Sequence, residues 1–163
     1  MAYATEWCWA LRWLVPLYPD RFSEGTMEPR SSAPVRSFRD LRVWHEAQEL
    51  VAATYALTAR LPPRERFGLA SQMERAVVSV AANIAEGHGR KHTREYLHHL
   101  SIANGSLSEL EAEVALCCRL GYINDHGATA VLQGASNVGR MLAGLVAKLR
   151  IRARTPVPGP RTP

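Results

Sequence analysis

Apolar and small residues recur at alternating spacings of four and three along four stretches of the chain, a pattern typical of helices packed in a bundle. The stretches cover residues 43–61, 69–84, 96–117 and 128–149, and none of them shows the two-residue alternation of a strand. Pro62-Pro63 ends the first stretch, and Gly87 and Gly89 end the second. Because the connections are short, consecutive helices must be antiparallel. The sequence therefore predicts an all-α fold, an up-down-up-down antiparallel four-helix bundle over residues 37–150.

The ends of the third and fourth helices are marked by residues that suit helix caps. Thr93 is the predicted N-cap of the third helix, and Gly121 is its predicted C-cap. Asn124 or Asp125 is the predicted N-cap of the fourth helix.

The regions on either side of the bundle have a different composition. Residues 1–36 are predicted to form a flexible extension, in which a Trp-rich start is followed by the linker-like stretch 23–37. The Trp-rich start fits an interfacial amphipathic helix, or an untranslated stretch before a true start at Met27. Residues 151–163 are predicted to form a disordered, basic, Pro-rich tail.

Composition describes an ordinary globular protein with a modest basic excess. The chain has 163 residues, a formal net charge of +5 and 47% hydrophobic residues. Its three cysteines have no CxxC spacing and no disulfide framework, which favours a reducing, cytoplasmic location. The basic excess raises the odds of a polyanionic partner without establishing one.

Several polar residues interrupt the apolar stripes of the second and third helices. If the turn between these helices lies near residue 92, Asn83 is level with Ser101 and Glu86 with His98. The same register places Arg75 opposite Glu109, so an Arg75–Glu109 ion pair is predicted, with Asn83 hydrogen-bonded inside the bundle. A structural role follows from the cost of burying an unpaired polar group. The residues assigned to this role are Arg75, Asn83, Glu86, Ser106 and Glu109.

The inventory of reactive residues does not indicate an enzyme. The chain has no Ser–His–Asp signal, no Gly-rich phosphate loop and no dinucleotide fingerprint. A di-metal bundle needs two Glu-x-x-His pairs, and Glu95 with His98 forms the only one here. We therefore expect no catalytic residue, no metal site and no cofactor, and we expect the histidines to be solvated.

Up-and-down topology brings the start of the first helix, the turn after the second and the end of the fourth to one end of the bundle. About half of the basic residues then converge there, as in a surface that binds a phosphate backbone. A solvated surface without a ligand is the alternative. The residues predicted to bind nucleic acid are Arg39, Arg42, Arg90, Lys91, Arg94, Lys148 and Arg150.

The motifs SFRDLRVWHEA, RFGLASQMERAVVSVAANIAEGHGR, SIANGSLSELEAE and LGYI resemble those of the bacterial four-helix bundle proteins. That family includes the 23S rRNA-intervening-sequence proteins and is related to the accessory protein of diversity-generating retroelements. The resemblance covers residues 37–150. It includes Asn83-Ile84-Ala85-Glu86-Gly87, Gly105-Ser106 and Glu109.

This resemblance implies a non-enzymatic subunit that assembles into a ring, a homopentamer in characterised relatives. For the retroelement branch it implies that the ring binds nucleic acid, RNA or DNA, and a reverse transcriptase through basic surfaces. The name of the intervening-sequence branch does not describe an activity. We expect no membrane partner. An oligomeric protein-interaction module without direct nucleic-acid contact is the alternative.

Small residues outside the apolar stripes mark a candidate intersubunit face on the first and fourth helices. They are Ala53, Ala56, Ala130, Gly134, Ser136, Gly139 and Gly144.

Overall fold

A computed structural model of the protein describes residues 35–154, apart from the side chain of Asp125. Four α-helices make up this part of the chain. They are α1 (Arg42–Thr58), α2 (Leu69–His88), α3 (Thr93–Arg119) and α4 (Asp125–Arg154), with 3-10 turns at Phe38–Asp40 and Pro63–Glu65. No strand occurs within this range. Packing joins α1 to α2, α2 to α3, α3 to α4 and α4 back to α1. The predicted antiparallel four-helix bundle is confirmed.

The core consists of the residues that the periodic pattern placed inside. Large side chains with less than 2% exposure come from all four helices and form one continuous cluster. Burial of such side chains stabilises a fold by roughly 1.5–3 kcal/mol each. Examples from successive helices are Leu50, Met73, Leu110 and Val138.

Local hydrogen bonds set the helix ends. At the end of α3, the backbone N–H of Tyr122 donates to Cys117 O and that of Gly121 donates to Cys118 O, both at 3.0 Å. Gly121 has φ 71°, so this is a Schellman end with glycine at the left-handed position. At the start of α4, the backbone N–H of Gly127 donates to Asn124 Oδ1 at 2.7 Å, which makes Asn124 the N-cap.

Two predicted helix ends are wrong. The N-cap of α3 is His92, which has extended backbone angles, and Thr93 is the first helical residue. The fourth helix continues through Arg154, so residues 151–154 are helical and do not belong to a tail. Residues 1–34 and 155–163, with most of the predicted extension and tail, lie outside the described residues.

Part of the proposed small-residue face is turned into the bundle. A Cβ atom on Gly134 would lie 3.1 Å from Leu50 Cδ1, and one on Gly139 would lie 3.4 Å from Leu107 Cδ2. These glycines let α4 approach α1 and α3 within the subunit, and Ala53 packs against the core. These three residues are half-buried contacts within the subunit, and the intersubunit face itself stays a prediction. Of that set, the exposed residues are Ala56, Ala130, Ser136 and Gly144.

Candidate nucleic-acid interface

The start of α1, the α2–α3 turn and the end of α4 lie at one end of the bundle, as the topology requires. The turn Phe38–Asp40 packs on α2, and the charge of His88 lies close enough to Asp40 to lower the pKa of its carboxyl group. Arg42 and Lys148 line one groove between α1 and α4. These contacts bring cations from separate elements together on a common surface.

One acid at this end, Asp40, is engaged by the backbone. Asp40 Oδ2 accepts hydrogen bonds of 2.9 Å from the backbone N–H groups of Arg36 and Ser37. These two bonds are the main reason that the pKa of Asp40 lies below its usual value. Asp40 forms no ion pair with a basic side chain in the described range.

Most of the predicted site residues are exposed and unpaired. The side chains of Arg42, Lys91, Arg94 and Lys148 form no ion pair or hydrogen bond with any other described residue. Arg39 places its guanidinium 4.9 Å from the centre of the Phe38 ring, a cation–π contact that leaves its donors open to solvent. The predicted site residues that are exposed and form no ion pair are Arg39, Arg42, Lys91, Arg94, Lys148 and Arg150.

Arg90 differs from these cations because its guanidinium is engaged by side chains of the bundle. It forms an ion pair with Glu86 on the preceding helical turn, and Arg90 Nε donates to His99 Nε2 at 3.0 Å. The prediction that Glu86 is structural agrees with this contact, although its partner on α3 is His99, where His98 was expected. Arg90 is therefore not a free cation of this surface.

Asn83 is hydrogen-bonded inside the bundle, as predicted, but to different partners. His99 Nδ1 lies 3.1 Å from Asn83 Oδ1, and Asn83 Nδ2 donates to Ser79 O at 2.9 Å. The hydroxyl groups of Ser79 and Ser106 lie 2.8 Å apart, so α2 and α3 share a continuous polar seam. Ser101 is exposed and takes no part in it.

The predicted Arg75–Glu109 ion pair is wrong. Arg75 donates to Ser71 Oγ at 2.9 Å and to Gln72 Oε1, both on its own helix. Glu109 is exposed, and no ion pair joins it to Arg75 in the described structure. These bonds hold the guanidinium on its own helix.

Glu113 is a buried carboxyl group that the sequence analysis did not single out. Its residue is 8% exposed, and its Oε2 atom has no hydrogen-bond partner among the described residues. Burial, reinforced by the charge of Glu109 and partly offset by Arg75, raises the pKa of Glu113 to about 7. It lies one position before Val114 on the apolar stripe of α3. A wider buried face on this helix would have predicted that Glu113 is buried.

The opposite end of the bundle has a different charge arrangement. Arg64 donates to the hydroxyl of Tyr122 at 3.0 Å, and that hydroxyl donates to Glu65 Oε1 at 3.0 Å. Arg60 and Arg119 are exposed at the same end. Substitutions of these two arginines can therefore serve as controls for substitutions at the candidate interface.

An apolar groove of about 500 Å³ lies between α1 and α2, on a face that the sequence did not single out. Phe38, Trp44, Val51 and Ala85 are among the residues that line it, and Val78 beside them is 45% exposed. Exposed apolar patches of this kind mark candidate sites of protein association.

In the described residues, no group of three or more His, Cys, Asp or Glu side chains is placed to hold a metal ion, and no helix is long and apolar enough to cross a membrane.

Comparisons with known proteins agree with this architecture. The family model for the 23S rRNA-intervening sequence protein matches residues 39–144. A crystal structure of a protein of unknown function from the S23 ribosomal protein family of Bacteroides thetaiotaomicron superposes with a TM-score of 0.60. That protein is 21% identical, and the match covers 64% of this chain and 95% of the other, a likeness of fold. No curated protein matches the sequence.

Proposed function

The chain belongs to the 23S rRNA-intervening sequence protein family, and we propose that it is a non-enzymatic, ring-forming accessory protein that binds RNA or DNA. The observation that carries this proposal is the set of exposed, unpaired cations that three separate elements contribute to one end of the bundle. Unpaired cations bind a phosphate backbone without first breaking an internal ion pair. We call the surface formed by Arg39, Arg42, Lys91, Arg94, Lys148 and Arg150 the basic end.

The arrangement favours contact with the nucleic-acid backbone. Lys91 and Arg94 lie on the α2–α3 turn and the first turn of α3, while Arg42 and Lys148 lie across the bundle end on a shared groove. Each phosphate neutralised by such a residue releases condensed counterions. Phe38, the aromatic ring beside Arg39, packs edge-on against Trp44 at 4.9 Å, which engages it within the fold. Binding is therefore expected to depend weakly on base sequence.

Titration of labelled structured RNA and of duplex DNA by fluorescence anisotropy, repeated across a salt series, tests the proposal. We expect tight binding at low salt and an affinity that falls linearly on a logarithmic salt scale, with similar values for unrelated sequences. Absence of binding to both probes at the lowest salt would refute the nucleic-acid role. It would favour the protein-interaction role described below.

Ring assembly is supported by the apolar groove between α1 and α2. A groove rimmed by the exposed side chain of Val78 offers a surface that a neighbouring subunit would cover. The number five comes from the family resemblance alone. Light scattering is expected to give a mass of five chains of 18.1 kDa each, and Val78→Asp is expected to reduce it. A monomeric mass for the parent protein would contradict ring assembly.

A protein-interaction module without nucleic-acid contact is the second candidate. Residues 38–150 contain 13 basic and 11 acidic residues, so the bundle as a whole is nearly neutral. In the retroelement branch of the resemblance, a reverse transcriptase is the protein partner, and we propose the same class of partner for this chain.

We also propose a cytoplasmic location, which the unpaired state of Cys117 and Cys118 supports.

A further inference from the structure

The bonds of Arg90 define where the protons of the polar seam lie. An arginine side chain only donates hydrogen bonds, so His99 Nε2, which is 3.0 Å from Arg90 Nε, must be an unprotonated acceptor. The proton of a neutral imidazole is then on His99 Nδ1, which donates to Asn83 Oδ1 at 3.1 Å. The arrangement requires neutral His99.

The rest of the seam agrees with this direction. Because Asn83 Oδ1 accepts from His99, its Nδ2 group faces α2 and donates to Ser79 O at 2.9 Å and Ser79 Oγ at 3.2 Å. The hydroxyl groups of Ser79 and Ser106 lie 2.8 Å apart, and either of them can be the donor. One continuous sequence of donors and acceptors therefore runs from Arg90 at the bundle end to Ser106 between the helices.

Protonation of His99 is incompatible with this arrangement of hydrogen bonds. A proton on Nε2 would point at the guanidinium of Arg90, and two cations would be in contact. Glu86 Oε1 lies 3.8 Å from the same nitrogen and is the nearest acceptor for the new proton. The charged or titratable groups that face His99 are Glu86 and Arg90 from the α2 side and His98, whose ring lies 6.0 Å away, on α3. From α1 and α4 no hydrogen bond or ion pair reaches His99 within residues 35–154.

We propose that His99 controls whether Arg90 belongs to the basic end. While His99 is neutral, Arg90 is retained by His99 and Glu86 and does not bind phosphate. When His99 is protonated, Glu86 pairs with the imidazolium and Arg90 is released to the surface as an additional phosphate contact. Histidine is the side chain that ordinarily changes charge between pH 5 and 8. This inference rests on the proposed nucleic-acid role of the same surface.

The first test uses a variant that preserves net charge. The double variant Glu86→Gln/Arg90→Gln removes the ion pair, and Arg94→Gln removes a cation that is unpaired at every pH. At pH 8 we expect the double variant to bind duplex DNA with the parent's affinity and salt slope. At pH 5.5 its salt slope should be smaller than the parent's by about 1, the loss of one phosphate contact. Arg94→Gln should lose about 1 at both pH values.

A double variant that loses equal affinity at pH 8 and pH 5.5 would overturn the inference, because Arg90 would then contact phosphate at all times. A double variant that matches the parent at both pH values would also overturn it, because Arg90 would never be released. Circular dichroism at each pH verifies that the variants are folded.

The second test does not depend on nucleic acid. Nitrogen-15 NMR of the parent protein reports which ring nitrogen of each histidine carries the proton. We expect His99 to be the Nδ1–H form at pH 8 and to gain its second proton on Nε2 as the pH is lowered. The Nε2–H form at pH 8 would overturn the inference even if nucleic acid binds. If the expected forms appear and the parent binds no nucleic acid, the proposed function fails, and with it the role of released Arg90, while the hydrogen-bond sequence stands.

Discussion

Replacement of Gly87 by alanine is expected to lower the free energy of unfolding by about 1–3 kcal/mol, the usual cost of an added group in a close-packed site. A Cβ atom at this position would lie 2.7 Å from Tyr96 Cδ2 and 2.9 Å from His99 Cβ, so both side chains would have to move. Tyr96 packs against the core and His99 belongs to the polar seam, which limits their movement. Urea unfolding followed by circular dichroism measures the change.

Gly105→Ala is the matched control for this substitution. Gly105 also lies inside a helix, but a Cβ atom there would meet nothing within 4 Å. Alanine is the better helix former, so this variant should be more stable than the parent by up to about 1 kcal/mol. A Gly87→Ala protein as stable as Gly105→Ala would show that α2 and α3 do not approach as closely as described.

Replacement of Glu113 by glutamine is expected to stabilise the protein by about 3 kcal/mol at pH 8 and by much less at pH 5. Burial raises the pKa of Glu113 from 4.5 to about 7, so the folded state binds this proton more tightly than the unfolded state does. The stability contributed by the protonated form is therefore fully present below pH 4.5 and is lost as the pH rises through 7. Glutamine keeps a neutral side chain of the same size at every pH.

The pH dependence of urea unfolding tests this prediction. The free energy of unfolding of the parent should fall between pH 5 and pH 8 more steeply than that of Glu113→Gln. Glu111→Gln, which changes an exposed carboxyl group of the same helix, should follow the parent. Parallel curves for the parent and Glu113→Gln would mean that Glu113 is solvated or paired at neutral pH.

The bundle itself was predictable because each helix repeats apolar residues at spacings of four and three, and because short connections make consecutive helices antiparallel. The register between α2 and α3 was also close, since the turn lies where glycines and a cluster of polar residues end the apolar stripe. Distance along the helix does not decide which side chain faces the neighbour, however. His99 and Ser106 lie on the stripe of α3 that faces α2, whereas Ser101, at the expected level, points to solvent.

The sites that sequence reasoning missed depend on how wide a face each helix buries. Because α3 packs against both α2 and α4, it buries a face wider than one stripe, and Glu113 lies on the added width. Arg75 was assigned a partner across the interface, but acceptors on its own helix were nearer. Arg90 was counted with the free cations because a linear pattern does not show that Glu86 and His99 both reach it.

The most direct test of the proposed function compares charge reversals at the two ends of the bundle. Lys91→Glu/Arg94→Glu alters the basic end, and Arg60→Glu/Arg119→Glu makes the same change of net charge at the opposite end. Affinity for structured RNA and duplex DNA, measured across salt at pH 8, should fall at least ~10-fold for the first variant, with the salt slope smaller by about 2. The second variant should retain the parent's slope. Equal losses for both variants, or none for the first, would contradict the assignment of the basic end as the nucleic-acid interface.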